Sequence, residues 1–293
     1  KYLNAPDFSQ LVHDISVVGI FTNPNKSNLY YGHELLSLYP NLEVLCTAST
    51  GTVHIDRDAC TERNIQIISL TEERSTINKI SSTAEHALAL TLSSIRNIPS
   101  AFNSVLLGEW DYIPFIGRQL SNANVGVVGY GRLGSLYCHY MSNLCQNIYI
   151  YDPYKYVSLP YIQQVHSLAE LFSICSIVSL HVHATDETFN FIDSICFEAA
   201  QPNLTLVNTS RGEVVNNNHL IDFLQSNVTS RYATDVLSDE HASASHLLKS
   251  YAISNPHQLL ITPHIAGMTT EAQEIAYSRA AILLFKFFSL RAL

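Results

Sequence analysis

Four stretches of this chain set groups capable of proton transfer or charge stabilisation where apolar runs end. "LLITPHIAGM", Leu259 to Met268, places His264 between a β-branched run and a glycine. "VNTSRGEVV" leads into Thr209, Ser210 and Arg211, and "YATDVLSDEH" offers Asp235, Asp239 and Glu240 after another short strand. "VGVVGYGRLGSLYCHYM" carries Gly129, Tyr130, Gly131, Arg132, Leu133 and Gly134. An imidazole can move protons near neutral pH, and a carboxylate beside it favours its charged form. A guanidinium fork at the carboxyl end of a parallel strand suits a carboxylate in the crevice where such sheets bind ligands. Glycines in a GxGxxG pattern, after a strand and opening a helix, permit a tight turn, backbone approach to a pyrophosphate and close helix–strand packing. Each feature alone has a bland counterpart: a packed core histidine, a surface arginine or aspartate, a glycine turn.

Positioning these groups requires strands that alternate with helices. Short apolar runs recur at 16–22, 42–48, 65–70, 125–130, 148–152, 177–182, 204–210 and 259–264, with helical patterns between them, the pattern of a helix-covered parallel sheet. The longest helical pattern covers 81–98 and stops before Pro99, which reads as a domain boundary; another covers 269–288, with its packing undecided by periodicity. The strand 148–152 ends on Asp152, placed to accept hydrogen bonds from adenine ribose hydroxyls and to repel a 2′-phosphate, which favours NAD over NADP. No internal repeat is present.

A chain of 293 residues, 47% hydrophobic and 14% charged, accommodates two ordinary domains and is too apolar for disorder. A net charge of −9 without a basic run argues against nucleic-acid binding, and no apolar run reaches membrane-spanning length. Six cysteines without a CxxC pair read as small buried hydrophobes in a reducing compartment, and the cytoplasm is the default location. The sequons at Asn25 and Asn208 read as chance matches. The chain begins at Lys1 rather than Met, so a preceding segment could carry targeting information.

In order, "GYGRLG", "YDPY", "NTSRG", "DVLSDE" and "TPHIAG", preceded by "STAEHALAL" and "LLGEW", resemble the D-isomer-specific 2-hydroxyacid dehydrogenases over nearly the whole chain. The resemblance implies an α/β protein with a Rossmann-type NAD-binding domain at 99–266 and a discontinuous, flavodoxin-like substrate domain at 1–98 and 267–293. By the same resemblance, Phe8 to Phe21 matches the segment after the family's first strand–helix–strand unit, so the substrate domain is expected to lack that unit and to expose a sheet edge. The implied catalytic set is Arg211, Glu240 and His264: Arg211 holds the substrate and polarises its carbonyl, His264 exchanges the proton, and Glu240 orients the imidazole. Gly129 to Gly134, Asp152, Thr209, Ser210, Asp235, His264 and Gly267 are implied at the cofactor, with Asp235 near its nicotinamide end. Ser49, Thr50 and Gly51 in "CTASTGTVHID" match a loop whose backbone N–H groups receive the substrate carboxylate, with Arg211 and His264 completing the substrate contacts.

Three departures accompany the resemblance. Thr47 stands where phosphoglycerate-type relatives can carry a phosphate-binding arginine. His183 replaces a usual proline, but His181 and His183 have no third ligand at metal spacing and read as structural or cofactor-lining, with no metal expected. "AAQPNLTL" lacks the usual Lys and Gly before its strand. Two function classes stay open: an NAD-dependent oxidoreductase acting on a small 2-hydroxy or 2-oxo acid as a homodimer, with the 81–110 region exchanged, or a dinucleotide-sensing corepressor-like protein on the same fold.

Overall fold

The β-branched runs become parallel strands in two separate sheets. The structure, a computed structural model, describes residues 11–23, 29–52, 54–238, 240 and 246–291; Phe8, Asn25 and Asp239 lie outside them. The chain divides into one unit of Lys1–Ile80 with Met268–Leu293 and a second of Ser81–Gly267.

Within the first unit, β1 (Gly19–Thr22), β2 (Val44–Thr47) and β3 (Gln66–Ile68) pair in parallel, in that order. β2 is central and buried at every residue, as a parallel strand covered on both faces must be. Helices α1 (His33–Ser37) and α2 (Arg57–Glu62) belong to one side, where Leu35, Leu36, Ala59 and Cys60 join Leu45 and Ile65 in a core. The other side holds α3 (Arg74–Ile77) and α11 (Thr270–Arg291), whose Ala276 and Ala280 pack with Cys46, Leu70 and Ile77. An Arg279–Glu73 ion pair at 2.6 Å and an Asn23–Tyr277 hydrogen bond tie α11 to the same unit. This settles the packing that periodicity left undecided for the last helix.

The second unit is built on β4 (Asn124–Val128), β5 (Asn147–Tyr151), β6 (Ile162–Gln164), β7 (Ile177–Leu180), β8 (Thr205–Asn208), β9 (Arg231–Thr234) and β10 (Leu259–Ile261). They form one parallel sheet in the order β10-β9-β8-β7-β4-β5-β6, which reverses direction at β4. Such a reversal opens a crevice beyond the carboxyl ends of the strands. Helices α4 (Ser82–Ile95) and α6 (Arg132–Met141) cover one face, where Ala87, Leu90, Ile95, Tyr137 and Met141 meet Val125, Val127, Ile148 and Ile150. Helices α7 (Leu168–Ile174), α8 (Ser194–Ala199), α9 (Asn217–Ser226) and α10 (Leu247–Ser254) cover the other, meeting Val128, Val178, Leu180 and Leu206. Val125 and Val127 on one face and Val128 on the other follow the two-residue strand period. Each fully buried Leu, Ile or Phe contributes about 1.5–3 kcal/mol, so these two cores dominate local preferences.

The boundary differs from the one expected at Pro99. The unit begins at Ser81 because α4 buries Ala84, Ala87, Leu90, Thr91 and Ile95, a helical stripe, and belongs to the core of the second sheet. Asn97, at φ 55°, ends the turn, and Pro99 sits in the first turn of α5 (Ile98–Leu106), where a missing N–H costs nothing. Pro99 therefore starts a helix inside the unit. β6 had no sequence expectation, since "YIQQV" is too short and polar to stand out. Among the described residues no helix is long and apolar enough to cross a membrane.

Candidate active site

Of the three glycines after β4, backbone and packing require two and leave the third open. Gly129 adopts φ +89°, and a Cβ there would lie 2.7 Å from the His181 carbonyl oxygen. A Cβ on Gly134 would lie 2.0 Å from the Gly129 carbonyl oxygen, so that glycine is what lets α6 close on the strand. At Gly131 a Cβ would meet no heavy atom within 4 Å, so packing alone does not call for glycine there. Gly131 is also the N-cap of α6 without a side-chain acceptor for the first-turn N–H groups, the arrangement that suits a pyrophosphate. Arg132 and Leu133 open the helix, half-buried. Asp152, one residue beyond β5, accepts hydrogen bonds from Tyr130 N at 2.8 Å, Tyr154 N at 2.9 Å and Lys155 N at 3.1 Å. Its carboxylate thus sits against the glycine loop.

At the end of β8, the buried Asn208 shapes the turn that presents Arg211. Its Oδ1 accepts from Ser210 N at 3.0 Å and Ser210 Oγ at 2.8 Å, and its Nδ2 donates to the Arg211 carbonyl at 2.8 Å and to the Tyr232 hydroxyl at 3.1 Å. The sequon asparagine is therefore an internal turn former. Thr209 Oγ1 is buried and has no hydrogen-bond partner among the described residues. Arg211 Nη1 donates to the Ser210 carbonyl at 2.7 Å, and the rest of the guanidinium is half-buried beyond the strand. A Cβ on Gly212 would lie 2.0 Å from Ser238 N, so glycine there lets the 237–240 loop approach β8.

That approach brings Glu240 near Arg211, and Glu240 in turn meets His264. Glu240 Oε2 lies 2.7 Å from His264 Nδ1, with both side chains about one-third exposed, and Glu240 Oε1 accepts from Leu237 N at 3.2 Å. Burial pushes the Glu240 carboxyl up, but the His264 hydrogen bond and charge, the Leu237 amide and the Arg211 charge outweigh it and hold it below its usual range. Three strand ends, those of β8, β9 and β10, thus supply one electrostatically coupled set.

His264 adopts φ +54°, left-handed backbone unusual for a side chain of its size. Asp235 holds it there. The carboxylate, 1% exposed, accepts from Thr262 Oγ1 at 2.5 Å, Ile265 N at 2.9 Å and Ala266 N at 2.8 Å, while His264 N donates to the Asp235 carbonyl at 3.0 Å. His86 of α4 completes the group, with Nε2 3.0 Å from Thr262 Oγ1 and 3.5 Å from Asp235 Oδ1. Burial raises the Asp235 pKa, yet these donors together keep it lowered. The sequence pointed to Asp235 and passed over His86; the polar residue on the buried stripe of "STAEHALAL" was the available signal.

Ser49, Thr50 and Gly51 lie beyond β2 in the first unit, and their carbonyls accept from Leu70 N at 3.0 Å, Thr71 Oγ1 at 2.9 Å and Ser49 Oγ at 2.6 Å. Thr47 is fully buried, its Oγ1 3.0 Å from Ser49 Oγ. His181 follows β7 against the glycine loop, 2.9 Å from Ser179 Oγ and 5.0 Å from the Tyr137 ring; burial pushes its pKa down to about 3. His183 is exposed, its carbonyl accepting from Thr188 Oγ1 at 2.6 Å. Gly267 closes the second unit, and a Cβ on it would meet nothing within 4 Å.

Residues 88–266 match the profile of the D-isomer specific 2-hydroxyacid dehydrogenase, NAD binding domain. The chain is 31% identical to the D-3-phosphoglycerate dehydrogenase of Mycobacterium bovis over 247 residues, 83% of this chain and 44% of that protein, so it spans less than half of that relative. Among solved structures it is similar to the D-lactate dehydrogenase of Aquifex aeolicus complexed with NAD and lactic acid, with a TM-score of 0.79 at 26% identity over 94% of this chain and 84% of that one. The NAD-dependent formate dehydrogenase of Staphylococcus aureus in complex with NAD gives a TM-score of 0.80 at 28% identity, over 94% and 80%.

Proposed function

The chain belongs to the D-isomer-specific 2-hydroxyacid dehydrogenases through its NAD-binding domain, and we propose that the protein interconverts a D-2-hydroxy acid and its 2-oxo acid with NAD. The observation that carries this reading is the 2.7 Å contact between Glu240 and His264, with Arg211 charged beside it. When bound, the nicotinamide supplies or accepts the hydride. Arg211 directs its remaining N–H donors to the substrate carboxylate or 2-oxo group and stabilises the developing negative charge. His264 donates Nδ1–H to Glu240, and Nε2 is read as the atom that gives a proton to the substrate oxygen in reduction and removes it in oxidation. Glu240, ionised, stabilises the imidazolium that donates.

NAD fits the residues present. The uncapped start of α6 and the unneeded Cβ space at Gly131 suit a pyrophosphate, with Tyr130, Arg132 and Leu133 around it. Asp152 is available to the ribose hydroxyls through its remaining lone pairs, Thr209 and Ser210 line the end of β8, and Gly267 comes after the His264 loop. Asp235 is read as the support of that loop more than as a cofactor contact, because its oxygens are already engaged. The Ser49–Gly51 loop is proposed to take a carboxylate on its backbone N–H groups. The site takes a small organic acid, and the protein is read as a cytoplasmic homodimer, neither membrane-bound nor bound to nucleic acid.

The test is NADH oxidation across hydroxypyruvate, glyoxylate and 3-phosphohydroxypyruvate, monitored by near-ultraviolet absorbance and repeated with NADPH. Turnover with at least one acid and a preference for NADH are expected. No turnover with any of them would sink the reading, and equal NADPH affinity would sink the role of Asp152.

A further inference from the structure

A chain of buried hydrogen bonds links the floor of the glycine loop to two helices. Thr91 of α4, Tyr137 of α6 and Ser179 of β7 are fully buried, and His181 follows β7 on the same face as Ser179. Thr91 Oγ1 lies 2.8 Å from the Tyr137 hydroxyl, Ser179 is a second hydrogen-bond partner of that hydroxyl, and Ser179 Oγ lies 2.9 Å from His181 Nε2. One bond sets the direction of the rest: Thr91 Oγ1 donates to the Ala87 carbonyl at 2.8 Å. A hydroxyl has a single proton to give. Thr91 has used its own, so Tyr137 donates to Thr91, Ser179 donates to Tyr137, and His181 Nε2–H donates to Ser179. The imidazole is therefore protonated at Nε2, and Nδ1 is a bare acceptor.

That acceptor is buried and has no hydrogen-bond partner among the described residues. Burial pushes the His181 pKa down to about 3, so the ring is neutral at physiological pH. A buried acceptor without a donor costs stability. An apolar ring could pack on Tyr137, as the imidazole does at 5.0 Å between centroids, without that cost. What such a ring lacks is the Nε2–H.

The surroundings of His181 give that donor a use. His181 N donates to the Val128 carbonyl at 2.8 Å, at the end of β4. A Cβ on Gly129 would lie 2.7 Å from the His181 carbonyl oxygen, and one on Gly134 would lie 3.4 Å from the His181 Cβ. His181 thus packs against the glycine loop and the first turn of α6, while its ring is bonded through Ser179 to Tyr137, three residues beyond Gly134. Residues three apart share a helix face, so packing locates that face at one turn and hydrogen bonds locate it at the next. We propose that His181 is a positioning residue for the dinucleotide: its Nε2–H, acting through Ser179 and Tyr137, fixes the rotation of α6 that aims the first-turn N–H groups at the pyrophosphate. The inference rests on the glycine loop being the NAD site, and it requires no contact between the His181 ring and the cofactor.

The test sets affinity against stability. NADH is titrated by fluorescence and ADP, which carries the same diphosphate, by calorimetry, and thermal unfolding is followed without ligand. His181→Phe keeps a ring and loses both nitrogens. It should unfold no lower than the parent, yet bind NADH and ADP roughly two- to tenfold more weakly, the worth of one hydrogen bond. His181→Gln, whose side-chain amide can again donate to Ser179, should recover most of the affinity. A residue with a merely structural role would lose stability and affinity together, without rescue by Gln, and that outcome would overturn the proposal. So would a parent that binds NADH and a His181→Phe protein that binds it as tightly. A parent that binds neither NADH nor ADP would instead remove the cofactor reading itself, and this inference with it. If His181→Phe does not fold, Ser179→Ala, which cuts the same chain of bonds, carries the comparison and should weaken NADH and ADP alike.

Discussion

His264 is held in left-handed backbone at φ +54°, a conformation that costs about 1–3 kcal/mol and persists only where the surroundings enforce it. Asp235 enforces it through the Ile265 and Ala266 amides, and Glu240 fixes the ring, so loop geometry and ring orientation have separate causes. Replacing His264 by Gln is expected to leave NADH affinity unchanged and to lower turnover by roughly 10² to 10⁴, the range for lost acid–base catalysis, as stopped-flow and steady-state rates would show. Because the Glu240 carboxyl is held below its usual range, the stability it lends is complete above the ordinary carboxylate range and is lost as pH falls through its lowered value. The thermal stability difference between parent and Glu240→Gln should accordingly be constant at neutral pH and shrink under acid; a difference that grows on acidification would reverse that sign. His86 acts through Asp235 and Thr262. His86→Ala should lower kcat by roughly ten- to a hundredfold, as outer-shell partners do elsewhere, while NADH binding is retained and His86→Gln recovers part of the rate.

At the scale of elements, three glycines in one loop separate packing from ligand approach. A methyl group at Gly134 would collide with the Gly129 carbonyl at 2.0 Å, so Gly134→Ala should destabilise the second unit by about 1–3 kcal/mol in denaturant unfolding. Gly131→Ala meets no protein atom and should unfold like the parent, yet bind NADH more weakly in a fluorescence titration. Equal effects of the two substitutions on stability would refute the division. Gly212 belongs with Gly134: it admits the Leu237–Ser238 backbone, and a side chain there would push away the loop that carries Glu240. The turn after β8 likewise depends on Asn208, whose four hydrogen bonds put Arg211 beyond the strand end.

For the molecule as a whole, the second unit exposes an unusual run of large apolar groups. α5 and the segment after it leave Phe102, Leu106, Leu107, Trp110, Tyr112 and Ile116 exposed, Trp110 by 92%. Exposed large apolar groups are what an interface would cover, and they are consistent with the homodimer proposed above, which the family resemblance implies. Sedimentation should give a dimer at micromolar concentration for the parent and a shift toward monomer for Leu107→Ser combined with Trp110→Ser; a monomeric parent would remove the assignment. Because the second unit has its own two cores, residues 81–267 expressed alone should unfold cooperatively and retain NADH binding, measured by calorimetry.

The sequence by itself determined the alternating strands and helices and the glycine loop followed by Asp152, because each depends on residues close together in the chain, whereas Arg211, Glu240 and His264 were singled out only by the resemblance of five motifs in order. Strand period, turn-forming glycines and strand-end polar residues are local signals, and most of the expected runs became strands within a few residues of their bounds. Tertiary structure alone decided that α4 packs on the second sheet, which moved the boundary from Pro99 to Ser81, and that α11 packs on the first. It also bonded Asp235, expected near the nicotinamide end of the cofactor, into the His264 loop and joined it to a histidine on α4 that no short motif distinguished. The physical reason is separation along the chain: His86 and Thr262 meet only because the apolar stripe of α4 buries itself against the sheet, and a one-dimensional pattern shows which face is apolar but not which surface covers it.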